Sequence, residues 1–101
     1  MIITNKKSMS RLWLRNVPQD KVFWCHDGVV VKNMHELAAA LREMSKETFN
    51  YHVTEERNDF SSWVRDAIGD VTLANQLQVT NNLATSARRV ELRLAWLKKR
   101  E

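Results

Sequence analysis

The chain has 101 residues, 44% hydrophobic and 28% charged, with sixteen basic groups against twelve acidic ones and a mean hydropathy of −0.47. That suits one domain, 1–101, with one modest core. The longest apolar run, Leu37 to Leu41, is far shorter than the ~20 residues of a membrane span. The first eighteen residues hold no apolar stretch of the secretory kind, and the single Cys25 excludes an internal disulfide. Two glycines and one proline leave little room for a Gly-rich nucleotide loop or a large β-sandwich. The expectation is a cytoplasmic protein with no membrane contact.

Charge is distributed unevenly. Residues 1–32 carry six basic and two acidic groups, residues 33–78 four and eight, and residues 79–101 six and two. Two basic ends thus flank an acidic middle. Such asymmetry points either to an external anionic partner or to ends that fold back and neutralise the middle.

Residues 1–20 form a basic arm, irregular or briefly helical, whose Leu12, Trp13, Leu14 and Val17 must dock somewhere. Pro18 ends any helix there. Residues 21–32 hold the one strand-like stretch. Val22 to Cys25 and Val29 to Val31 are β-branched, aromatic or small, and Asp27-Gly28 between them is a hairpin signal. Next, Asn33 with Glu36 three residues on has capping-box spacing, and Met34, Leu37, Ala38, Leu41 and Met44 make one apolar stripe, so a helix is expected over 33–44. Ser45 caps a short helix reaching about Val53. Asn58 caps another, with Asp59 at its dipole and Phe60, Trp63, Val64, Ala67 and Ile68 on its buried face. Gly69 suits its left-handed end, and Asp70 starts a helix carrying Val71, Ala74 and Leu77. The longest helix is 83–100. Its Leu83, Ala87, Val90, Leu94 and Leu97 alternate in an a/d-like seam, while Leu92 and Trp96 lie roughly 160° and 120° away from it. The fold class is mostly α: a compact four- to five-helix domain with a small β-hairpin or extended segment near 21–32.

Tyr51-His52-Val53, Asn58-Asp59-Phe60 with Trp63-Val64, Ile68-Gly69-Asp70 and Leu73-Ala74 together resemble a family of small domains of unknown function, found mainly in archaea and poorly cultured bacteria. Asp27-Gly28 followed by the Asn33-capped helix fits the same pattern. The resemblance covers about 22–77, implies a compact and mostly helical domain, and implies no activity. The basic arm 1–20 and the basic helix in 79–101 lie outside it.

Several residues have zinc-ligand chemistry, namely Cys25, His26, Asp27, His35 and His52, yet they lack the paired short spacing of structural sites. No metal and no cofactor is expected. His52 with Asp59 invites a general-base reading, but no Ser or Cys stands out as nucleophile. The simpler role for His52 is to hold the Asn58-Asp59 turn. Enzymatic activity is therefore not expected. Segment 58–78 has a helix-turn-helix outline with Thr72, Asn75, Gln76 and Gln78 on its second helix, but Asp59, Asp66 and Asp70 carry the wrong sign for phosphates.

The basic ends are the strongest functional lead. Arg88, Arg89, Arg93, Lys98, Lys99 and Arg100 accompany Trp96 on the last helix, and Lys6, Lys7, Arg11 and Arg15 extend the set from the arm. Arginine forks bind phosphates and tryptophan stacks on bases. The leading expectation is a small non-enzymatic protein that contacts DNA or RNA phosphates with weak sequence specificity. The alternative is a protein-interaction module, homodimeric or with another protein, docking through Leu92 and Trp96. Either that partner or the arm's Trp13 would cover them.

Overall fold

A computed structural model describes residues 6–101, with side chains from Met9 onward. The helices start where short polar side chains can accept orphan backbone N–H groups. Asn33 Oδ1 accepts from Glu36 N at 2.7 Å and opens α2 (Met34–Glu43). Ser45 Oγ accepts from Thr48 N and opens α3 (Lys46–His52). Asn58 Oδ1 accepts from Ser61 N and opens α4 (Asp59–Trp63), Asp70 Oδ1 accepts from Leu73 N and opens α5 (Val71–Gln78), and Asn82 Oδ1 accepts from Thr85 N and opens α6 (Leu83–Lys98). These are the helix starts expected from the sequence.

Two features of the helices go beyond the sequence reading, which left the arm irregular or briefly helical. The arm contains a nine-residue helix, α1 (Lys6–Leu14), which brings the described α-helices to six. It forms because Met9, Ser10, Trp13 and Leu14 share one face that packs inward, with Ser10 buried at the crossing. After α4 the chain widens into a π-turn over Val64–Ile68, ended by Gly69 N–H donating to Val64 O at 2.8 Å. Gly69 then takes φ +96°, a conformation that glycine reaches without a Cβ penalty.

The hairpin is present. Strands β1 (Phe23–Trp24) and β2 (Val30–Val31) pair antiparallel with Phe23 opposite Val31 and Trp24 opposite Val30. Cys25 N–H donates to Val29 O, and Gly28 at φ +94° closes the loop between them. Period-two alternation buries Phe23 and Val31 and leaves Trp24 and Val30 outside. A hairpin this short needs support. It receives it from Phe23, which stacks on Phe60 at 5.1 Å between ring centroids and meets Trp63 edge-on.

Helix α6 runs through the middle of the packing, against α2, α5 and α1. Val90 and Leu97 are fully buried along its seam, and Leu83, Ala87 and Leu94 are partly buried beside them. Leu37, Leu41, Phe49, Phe60, Leu73 and Leu77 complete the core. No helix among the described residues is long and apolar enough to cross a membrane.

Candidate interaction face on the C-terminal helix

The chemistry of α6 begins with a buried carboxylate. Asp70 has no solvent-exposed surface, and its cap hydrogen bond to Leu73 N uses only part of its accepting capacity. Arg93, one turn beyond Val90 on α6, supplies the rest. Its Nε donates to Oδ2 at 2.7 Å and a terminal nitrogen donates to Oδ1 at 3.0 Å. The pair is bidentate and almost fully enclosed, the geometry in which an ion pair offsets its own desolvation. It ties the start of α5 to the middle of α6.

Tryptophans flank this arginine. The Arg93 guanidinium lies 5.5 Å from the ring centroid of Trp13 and 4.5 Å from that of Trp96. Trp13 also covers the backbone at Gly69, where an added Cβ would lie 3.6 Å from its ring nitrogen. The arm therefore docks through Trp13. Trp96 takes a second cation on its ring, Arg100 at 3.7 Å, and Arg100 also donates to the Trp96 carbonyl. Arg89 donates to the Gln76 carbonyl on α5.

Of the six cations of the last helix expected to contact phosphates, Arg89, Arg93 and Arg100 share one helical stripe. The structure brings them together on one side of α6, but each is already engaged. Arg93 in particular is a structural cation, because one edge of its guanidinium is held by Asp70 and the rings of Trp13 and Trp96 lie beside it. Arg88, Lys98 and Lys99 are exposed on α6, and Arg11 and Arg15 are exposed on and after α1. Arg88 lies elsewhere, at the rim of a depression of about 760 Å³ where the start of α6 meets α2 and α3, close to the Arg42–Glu91 ion pair. The side chains of Lys6 and Lys7 lie outside the described residues.

The apolar residues of this face are less well covered. Leu92 is 53% exposed and Val79, just past α5, is 78% exposed. Together with Gln76, Arg89, Arg93 and Trp96 they line an open groove of about 470 Å³ between α5 and α6. Trp13 leaves Leu92 uncovered. Arg89, Leu92, Arg93 and Trp96 fall at i, i+3, i+4 and i+7, so the α6 wall is a regular stripe of alternating apolar and cationic groups. Sequence reasoning found Leu92 and Trp96 and missed Val79, whose exposure depends on how the α5–α6 joint folds. It also passed over Trp24, 68% exposed opposite Val30 on the outer hairpin face. Strand alternation carries that signal.

His52 is placed as a structural residue. His52 is buried, its Nε2 accepts from the His26 backbone N–H at 2.9 Å, and its Nδ1 lies 3.0 Å from Asp59 Oδ2. Because Nε2 must offer its lone pair to an N–H, the proton sits on Nδ1 and is donated to Asp59. No ring nitrogen is left for a substrate. Burial and the nearby Asp27 push the Cys25 thiol up to about 11, which removes it as a nucleophile near neutral pH. No group of three or more His, Cys, Asp or Glu among the described residues could hold a metal ion. The helix-turn-helix outline is tied inward: Arg65 donates across to Asn75 and Gln78 on α5.

A family model for a family of unknown function, DUF5752, matches residues 14–94. The chain belongs to DUF5752. The match is wider than the resemblance over 22–77 and takes in α6 as far as Leu94, with Arg88, Arg89 and Arg93 but without Lys98, Lys99 and Arg100. Asp70, Val79, Leu92 and Arg93 lie inside the DUF5752 span, while Trp13 and Trp96 lie just beyond its two ends. No curated protein and no solved structure matches the chain.

Proposed function

We propose that the protein is a non-catalytic interaction module that docks a protein partner in the α5–α6 groove. One observation carries this reading: Leu92 and Val79 line one walled groove, and Val79 at 78% is the most exposed large apolar residue among the described residues. A neighbouring tryptophan and arginines are the residue types enriched where interfaces concentrate their affinity. The occupied ring nitrogens of His52 and the buried thiol of Cys25 support the non-catalytic part.

Nucleic-acid phosphate contact is the second reading. The exposed Arg88, Lys98 and Lys99, with Arg11 and Arg15, favour it. Against it, Arg93, the arginine at the centre of the stripe, is spent on Asp70.

Selection of displayed random peptides on the wild-type protein, with counter-selection on Leu92→Asp, tests the first reading. Peptides retained by the wild type and released by the variant are the expected result. Enrichment of peptides that bind both proteins equally would place the docking face elsewhere and overturn it.

A further inference from the structure

Resting on the docking reading, we infer that the groove takes one kind of partner: an amphipathic helix with acidic residues along the edge of its apolar stripe that faces α6. The shape argues for a helix. The α6 wall repeats at i, i+3, i+4 and i+7, and Val79 at the end of α5 forms the facing wall. Such a trough accepts a helix side-on through a few apolar anchors at the same spacing.

The charge argues for acid. Leu92 has Arg89 and Arg93 on either side along the helix, and Arg100 lies over Trp96 one turn on. Lys98 and Lys99 follow in the same last turn. Glu91 is the one acidic group within α6, and it is turned away to pair with Arg42 on α2. The groove lining itself contains no carboxylate. Asp70 neutralises Arg93, but from beneath, so the outer rim remains cationic. A partner carrying lysines there would meet like charge, and one carrying glutamates would meet Arg89 and Arg100.

The same charge disfavours a second copy. Two-fold pairing through Leu92 would bring Arg89 and Arg100 of each copy against the same cationic rim of the other, with no carboxylate in the groove to meet them. Self-association on this face is thereby opposed by the residues that would attract an acidic helix.

The test uses three synthetic helical peptides of roughly sixteen residues, long enough to be partly helical in isolation. All share one Leu stripe at i, i+3, i+4 and i+7, edged with Glu, with Gln or with Lys. Binding to the full chain is read from Trp fluorescence and from backbone amide shifts over residues 76–100. The Glu-edged peptide is expected to bind at least about tenfold more tightly than the Lys-edged one, with the preference shrinking as salt rises. Leu92→Asp and Val79→Asp, both at exposed positions that leave melting unchanged, should each weaken it by about tenfold or more. Arg89→Glu should narrow or reverse the Glu-over-Lys preference. Equal binding of all three peptides on this face would overturn the acidic-helix inference and leave the docking reading standing. Absence of binding by any of them would also overturn it, and the displayed-peptide selection would then decide the docking reading separately. Concentration-dependent dimerisation abolished by Leu92→Asp would overturn it in favour of a second copy.

Discussion

Arg93 grips both oxygens of Asp70 across 23 positions of sequence, at 2.7 and 3.0 Å, inside a site with almost no solvent. This relationship decides how the basic helix is read, because it turns the arginine most central to the stripe into a fastener between α5 and α6. Removing one partner strands the other, so Arg93→Ala should cost about 3–5 kcal/mol, whereas Arg88→Ala at the exposed rim should stay within about 0.5 kcal/mol. Chemical denaturation of the two variants checks this. The double variant Asp70→Asn with Arg93→Met should lose less than the sum of its parts, since neither charge is then left alone.

The histidine network has a spectroscopic signature. Its Nε2 accepts and its Nδ1 donates, so long-range nitrogen–proton NMR should show His52 as the Nδ1–H tautomer. His52→Phe keeps the ring against Phe23 and Phe60 but leaves the His26 N–H and the Asp59 carboxylate without it, for a loss of about 1–3 kcal/mol.

The two positive-φ glycines make a matched pair. Gly28 has open space around it, and Gly69 has Trp13 at an ordinary contact distance of 3.6 Å. A methyl group therefore meets no clash at either place. Gly28→Ala and Gly69→Ala should each destabilise by about 1–2 kcal/mol, from backbone conformation alone. A much larger loss at Gly69 would show that Trp13 sits closer than this geometry allows.

Cys25 should resist alkylation near pH 8 in the folded chain and react readily once unfolded. Its thiol is raised from 9.0 to about 11, so between those values the unfolded chain holds fewer protons than the native one. This contribution is fully present below pH 9 and is lost as pH rises through about 11, a fall that Cys25→Ser should flatten in urea titrations at stepped pH.

Much of the scaffold could be read from local chemistry. Asn33, Ser45, Asn58 and Asp70 announce their helices because a cap is a three-residue interaction. Asp27-Gly28 announces the hairpin for the same reason. The fate of Arg93 could not be read this way. Its partner lies 23 residues away, and cations at helical spacing look alike whether they face water or a buried carboxylate. For the arm, a brief helix and an irregular segment stayed open, because Ser10, a polar residue, sits on the buried face of α1. Leu92 was visible through its angle to the seam, but Val79 needed the folded joint between α5 and α6.

The central proposal is that Arg89, Arg93 and Arg100 serve as internal fasteners and groove walls rather than as a phosphate surface. The direct measurement is a titration of a labelled random-sequence DNA duplex into the wild type and into an Arg89→Ala, Arg100→Ala variant, at about 50 and about 200 mM salt. The account predicts at most weak binding at the lower salt, gone at the higher and indifferent to the two substitutions. Micromolar binding that survives at the higher salt and collapses in the variant would contradict it.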